Sequence, residues 1–240
     1  MSSSKSGPII VSVEGNIGSG KSTILDHLET SLGDLAGRVV VLKEPLGVWE
    51  AIKDPETGEN ILEKFYKDQT RYAFSFQVMA YASRLSLIRN AIEQNPECSV
   101  IVCERSLEAD KHIFAKMLYD DGVIEDINYQ IYQCFCKEFS REFGLDSIVY
   151  IDADAEVCHE RVGKRSRQGE GGIPLEYLQK CKKYHDEWLL DTLQETPVLR
   201  IKTNQNATYD FEDPEDVGIK WLNLVKSFIE GQLNMPSLRI

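Results

Sequence analysis

Five short, nearly continuous apolar runs are spread along the chain: Ile9–Val13, Arg38–Leu42, Ser99–Cys103, Ser147–Ile151 and Pro197–Ile201. Runs rich in Val and Ile, without polar alternation, predict strands covered on both faces, as in a parallel sheet. Between them apolar residues recur at the helical period. Ile24, Leu25 and Leu28 do so behind the first run, and Leu62, Phe65 and Tyr66 within residues 57–68. Longer helical patterns cover Gln69–Glu93, Leu107–Asp120, Asp126–Glu142, Asp154–Arg167 and Val217–Leu233, and another starts at Pro174, placed in its first turn, and runs to about Leu193. The alternation predicts an α/β fold, a five-stranded parallel sheet flanked by helices. No repeat, low-complexity tract or linker interrupts the 240 residues, so residues 1–240 are expected to form a single domain.

Ligands of such sheets gather beyond the carboxyl ends of the strands. Three predicted strands end in chemically suggestive residues: Glu14-Gly15, Glu44, and Glu104-Arg105-Ser106. Residues 14–23 contain Gly15, four intervening residues, then Gly20-Lys21-Ser22, the phosphate-binding P-loop spacing. In that loop backbone N–H groups of Gly15, Asn16, Gly18, Gly20 and Thr23 face an anion that a helix N-terminus also favours. Lys21 supplies a cation for the β- and γ-phosphates, and the Ser22 hydroxyl is a magnesium ligand. Mg-ATP is therefore the expected occupant. No Asn-Lys pair of the kind that reads guanine is present, which argues against a GTPase. A third strand ending in Glu-Arg-Ser rather than a lone aspartate turns the reading from motor ATPases towards a small-molecule kinase.

The net charge of −12 argues against a nucleic-acid polymer as partner, because phosphate contacts need a basic face. The basic residues Arg161, Lys164, Arg165 and Arg167 nevertheless cluster on one helical pattern, just before the glycine-rich segment 168–172. A charged arm of this kind suits a lid over a nucleotide, here residues 161–173. Six scattered cysteines, none in a C-x-x-C pair, read as free thiols of a reducing compartment. The start MSSSKSGP resembles neither a secretory signal nor a transit peptide, and no apolar run reaches membrane-spanning length, so a cytoplasmic protein without membrane contact is expected.

Taken in order, these motifs resemble the deoxynucleoside kinase family over nearly the whole chain. The matching pieces are residues 14–23, Glu44-Pro45 with Trp49, Tyr66, Phe76-Gln77, Glu104-Arg105-Ser106, Arg165-Ser166-Arg167 with Glu170, and the segment 173–178. The resemblance implies a P-loop kinase that transfers the γ-phosphate of ATP to the 5′-hydroxyl of a deoxynucleoside in nucleotide salvage. It implies Glu44 as general base, Arg105 as its partner and phosphate ligand, Glu104 with Ser22 as magnesium ligands, and Arg161, Arg165 and Arg167 as lid arginines. Tyr66 and Glu170 match residues that bind the 3′-hydroxyl. Phe76, Phe114, Gln77, Trp49, Leu62 and Phe65 match the base pocket, with a core position on its helix as the alternative reading of Phe114.

Ala80, Arg84 and Asp110 match the combination found in relatives that act on deoxycytidine, deoxyadenosine and deoxyguanosine. An acceptor such as Asp110 suits an exocyclic amine, whereas thymine presents a carbonyl there. Deoxycytidine or a purine deoxynucleoside is therefore expected above thymidine. Two rival readings are a nucleoside monophosphate kinase, which would need extra cations for the acceptor phosphate, and a non-catalytic ATP-binding scaffold on the same fold. The resemblance also implies a homodimer. Tyr72, Phe74, Phe76 and Tyr81 on one long helix fit packing either on the sheet or on a second subunit. The loop Lys202–Asp213 is a candidate to touch the donor base.

Overall fold

The structure, a computed structural model, describes residues 7–139, 143–165, 172–192 and 195–233. Five parallel strands, β1 (Ile9–Glu14), β2 (Val39–Leu42), β3 (Val100–Glu104), β4 (Ser147–Asp152) and β5 (Val198–Lys202), lie in the order β2-β3-β1-β4-β5. The predicted runs match them to within one residue at either end. Register is set by the two-sided burial: Ile10 pairs Ile101 and Val11 pairs Val102, so alternate residues supply opposite faces.

Ile10, Leu42, Ile101 and Cys103 face one layer, with Ala80, Tyr81 and Ile88 of α4 (Gln69–Gln94) and Tyr132 and Cys136 of α7 (Asp126–Phe139). Val11, Val13, Val102 and Val149 face the other, against Ile24 and Leu28 of α1 (Lys21–Thr30) and Val225 and Ile229 of α10 (Val217–Leu233). Each face is thus sealed by helices, which is why the strand sequences carry no polar alternation.

The chain leaves β1 towards β2 on one side and leaves β3 towards β4 on the other. The order reverses between β1 and β3, and a crevice opens beyond their carboxyl ends. Gly15 makes the first turn there with φ of 146°, and a Cβ built on it would lie 2.4 Å from the Ile151 carbonyl oxygen. No other residue fits so close to the β4 backbone.

Several helices differ from the sequence reading. A short α2 (Leu46–Ala51), unannounced by any apolar period, follows Glu44-Pro45 directly. Residues 57–68 yield only α3 (Ile61–Lys67), started by a reciprocal cap in which Asn60 accepts from Glu63 N and Glu63 accepts from Asn60 N. Asp68 ends α3 and its carboxylate accepts from Arg71 N to start α4, so one residue makes the corner. The expected helix 107–120 is α5 (Leu107–Ala109) and α6 (Lys116–Asp120) joined by a wider π-helical turn, Asp110–Ala115.

The helix over 154–167 is α8 (Ala155–Arg165) within the described residues. Pro174 lies one position earlier than expected, as the extended cap of α9 (Leu175–Asp186), and residues 187–192 continue it as a second π-helical turn. Tyr81 is buried and donates to the Cys136 carbonyl, while Tyr72 and Phe74 remain half-buried beside it.

Gly15→Ala is expected to lower the folding free energy by about 1–3 kcal/mol, the usual range for an overpacked site. The measurement is the urea midpoint at unchanged slope. A midpoint equal to that of the parent would mean that β4 yields freely to the added methyl.

Candidate active site

The loop between Glu14 and Lys21 wraps one end of a cavity of about 620 Å³, which continues past Glu44 to the aromatic residues of α3 and α4. The loop is packed as tightly as its glycines allow: a Cβ on Gly18 would sit 2.6 Å from the Cys158 carbonyl oxygen. Gly20, left-handed, caps α1. Lys21 is buried and its Nζ donates to the Asn16 carbonyl at 2.7 Å. Burial, and then the nearby Arg105, pull its pKa down to about 8 against the opposing pull of Glu104 and Glu44.

Asn16 itself does not face the cavity. Its amide donates to the Leu178 carbonyl on α9 at 2.8 Å and its oxygen accepts from Ile17 N at 2.9 Å, so the side chain ties the loop to α9. That leaves its backbone N–H, the group the loop spacing singles out, as its means of meeting a phosphate.

Ser22 Oγ donates to Glu104 Oε1 at 2.7 Å, bringing a hydroxyl and a carboxylate together beside Lys21. Thr23 lines the cavity next to them. Among the described residues no three His, Cys, Asp or Glu side chains converge as a metal cage. Two hard oxygen donors at a phosphate loop nevertheless fit magnesium, which keeps waters and takes substrate phosphate oxygens for the rest of its shell. The buried Ser19 Oγ, which has no partner, marks further hydrogen-bonding capacity in the same cradle.

Arg161 reaches over from α8 and donates to the carbonyls of Ser19 (3.2 Å), Thr203 (2.8 Å) and Gln205 (2.6 Å). Arg165 lines the cavity, whereas Lys164 pairs with Glu160 on the exposed side of the helix. Arg167 and Glu170, with most of the expected lid, lie outside the described residues. The 202–213 loop contributes Thr203, Gln205, Ala207 and Tyr209 to the cavity wall.

Glu44, two residues beyond β2, projects between two guanidiniums. Arg105 Nε donates to its Oε1 at 2.9 Å, and Arg84 Nη2 donates to the same oxygen at 3.2 Å. Burial pushes the Glu44 carboxyl up, but Arg105, then Arg84 and Lys21, outweigh it and hold the group far below the ordinary carboxylate range, at about 2. Arg105 Nη1 also donates to the Gly15 carbonyl at 2.8 Å, so one side chain spans Glu44 and the phosphate loop. Arg84 Nε donates to Asp110 Oδ2 at 2.9 Å and its Nη1 to the Glu104 carbonyl at 3.0 Å.

The remaining walls are apolar and aromatic. Phe65 stacks on Phe76 with centroids 4.7 Å apart, and Trp49 meets Phe76 edge-on at 5.4 Å. Leu62, Ala80 and Phe114 complete this half, with the Arg105 guanidinium 4.7 Å from the Phe114 ring centroid. Gln77 is buried with its Oε1 unpartnered, and Tyr66 faces Tyr177 edge-on at 6.4 Å.

Three contributions escaped the sequence reading. Tyr177 lines the cavity, and its only signal was its place inside the 173–178 segment. Ser83 accepts from Trp49 Nε1 at 2.9 Å, and Arg84 links Asp110 to Glu44. Neither of the last two was visible without knowing which face of α4 meets the cavity.

A glycine cradle with a lysine, continuous with a pocket of aromatic walls and a charged carboxylate at the joint, defines a P-loop kinase for a small acceptor. A family model of deoxynucleoside kinase matches residues 11–230, and the chain belongs to that family. It is similar to deoxycytidine kinase of Bos taurus (33% identical over 245 residues, 91% of this chain and 90% of that protein) and of Homo sapiens (33% over 229 residues, 85% of each). A mitochondrial deoxyguanosine kinase of Xenopus laevis is 31% identical over 245 residues, 92% of this chain and 89% of that protein. The protein is therefore a deoxynucleoside kinase with ATP as the phosphate donor that this family implies.

With Lys21 near 8, kcat/KM for ATP is expected to fall about tenfold per pH unit above pH 8, because the free enzyme loses the ammonium charge that meets the phosphates. In Lys21→Arg the remaining activity should show no such alkaline limb, since a guanidinium stays charged. A parent profile that is flat to pH 9.5 would contradict the assignment.

Proposed function

We propose that residues 1–240 act as one kinase domain in which Glu44 prepares the 5′-hydroxyl of a deoxynucleoside for attack on the γ-phosphate of ATP. Deoxycytidine or a purine deoxynucleoside is preferred over thymidine. The observation that carries the reading is the placement of Glu44 at the joint of the cavity, hydrogen-bonded to Arg105, whose other end reaches the Gly15 carbonyl of the phosphate loop. Base and phosphate ligand are thereby fixed relative to one another before any substrate arrives.

A carboxylate held so far below its ordinary range is ionised at every working pH. It is a weak base, which suffices where the transition state is loose and the hydroxyl keeps its proton until late. Lys21, Arg105 and Arg161 meet the charge on the transferring group. Ser22 and Glu104 would hold magnesium, which when bound supplies charge neutralisation for the β- and γ-oxygens.

The acceptor pocket supports an uncharged ligand. Its two cations, Arg84 and Arg105, are already paired with carboxylates, and the other walls are Trp49, Leu62, Phe65, Phe76 and Phe114. A nucleoside monophosphate would bring a dianion, and among the described residues the two guanidiniums of this half are already committed to carboxylates. Phe76 and Phe114 offer faces for a base, Gln77 an amide with an unpartnered oxygen, and Tyr66 with Glu170 are assigned to the 3′-hydroxyl. Asp110, oriented by Arg84, supplies an acceptor for an exocyclic amine. The Phe65–Phe76 stack adds bulk on the same side and favours a compact base.

A homodimer is part of the same proposal. Ile127 and Ile131, one turn apart on α7, are 65% and 51% exposed, and half-buried Tyr72 and Phe74 lie on α4, the helix that α7 packs against. Cytoplasmic residence is supported by six free cysteines. Among the described residues no helix is long and apolar enough to cross a membrane.

Glu44→Gln is expected to lower kcat by about 10²–10⁴-fold, the range of general-base contributions, with deoxynucleoside binding retained by calorimetry. Unchanged turnover would remove Glu44 from the chemistry. Comparison of kcat/KM across the four natural deoxynucleosides should rank thymidine last, and Asp110→Ala should narrow that gap. Thymidine ranking first would overturn the base assignment.

A further inference from the structure

Arg105 stands in a backbone conformation that arginine rarely adopts. Its φ is 63°, and among the described residues only Tyr209 shares a positive φ without being glycine. Such a turn persists where the surroundings over-determine it. Its own N–H still bonds the Val13 carbonyl at 3.1 Å, which extends the β1–β3 ladder by one residue. The reversal must then be enforced from the following residue.

Ser106 supplies the handle. Its N–H donates to Glu14 Oε1 at 2.8 Å and its hydroxyl donates to the same oxygen at 2.6 Å. The hydroxyl also accepts from Ala109 N at 3.0 Å, starting α5. Glu14 is the last residue of β1, fully buried, and does not line the cavity. Its Oε2 has no hydrogen-bond partner. A buried carboxyl group with one oxygen unsatisfied is costly, and its other oxygen is committed to the pair of bonds that pins Ser106.

We propose that Glu14 is a positioning residue for Arg105: its carboxylate clamps Ser106 and so holds the left-handed turn that aims the Arg105 guanidinium at Glu44 and the phosphate loop. The inference rests on the proposed role of Arg105 in phosphoryl transfer. Because β1 continues from Glu14 straight into Gly15, the clamp also links the start of the phosphate loop to the residue that spans it. Without it the turn at Arg105 would relax towards extended backbone, carrying the guanidinium away from both acceptors.

The test compares Glu14→Ala, Glu14→Gln, Arg105→Ala and the double variant Glu14→Ala/Arg105→Ala in kcat, in KM for both substrates, and in Tm. Glu14→Ala should lower kcat by about 100-fold, the scale of an ångström-level misplacement, with KM for the deoxynucleoside within about threefold. Glu14→Gln keeps an acceptor for both Ser106 donors and should recover kcat to within about fivefold of the parent. The double variant should be no slower than Arg105→Ala, because Glu14 acts through Arg105 and the two losses do not add.

If Glu14→Ala does not fold, Ser106→Ala carries the same comparison: a loss in kcat on its own and none in the Arg105→Ala background. The proposal is overturned by a loss confined to KM, by Glu14→Gln as slow as Glu14→Ala, or by a double variant slowed by the full product of the single effects. An Arg105→Ala enzyme with parental kcat would instead overturn the role given to Arg105, and is distinguished by that measurement alone.

Discussion

A guanidinium taken out of water is tolerated only when its N–H groups find acceptors and its charge finds a counter-ion. Arg84 meets that condition with all three nitrogens, on Asp110, the Glu104 carbonyl and Glu44, and Arg105 meets it with Glu44 and the Gly15 carbonyl. Removing a partner from such a buried pair costs about 3–5 kcal/mol, because a bare charge is left behind. The network therefore constrains where α4, the exit of β2, the exit of β3 and the π-helical turn can lie relative to one another. Much of the fold around the crevice can be understood as scaffolding for these two cations.

The same network joins the two halves of the cavity. On the proposed reading Asp110 belongs to the base end, Glu44 to the joint and the Gly15 carbonyl to the phosphate end, and the chain Asp110–Arg84–Glu44–Arg105–Gly15 is unbroken. An acceptor that engages Asp110 necessarily alters the field at Glu44, since Arg84 serves both. On that reading, specificity for the base and readiness for transfer are not separable by single substitutions. Asn16 adds a second connection, from the phosphate loop to α9.

The sheet was legible in the sequence because strands buried on both faces must be continuously apolar, and the five runs carry that signature to within a residue. The phosphate loop was legible because anion binding demands glycines and a lysine at fixed spacing. The roles of Glu44, Glu104 and Arg105 came mainly from the order of motifs, and the structure brings those residues together. What escaped reading was whatever depends on tertiary placement. Leu46–Ala51 is too short to show a period; Asn16 spends its side chain on α9; the Trp49–Ser83 bond and the Arg84–Glu44 link depend on the rotation of α4 about its axis. Pro174, read as the first helical residue, caps the helix instead because its ψ of 149° keeps it extended.

The wide turn Asp110–Ala115 brings two cavity residues, Asp110 and Phe114, onto a common face, four positions apart. Relative to regular winding, a loop of this width holds one surplus residue. Deleting a single residue there would restore the ordinary period and swing one flank against the other by roughly 100°. Different side chains would then face the cavity, while the sheet and the phosphate loop stayed as they are. The lining at this end of the cavity thus depends on the length of one helix as well as on the identity of its side chains.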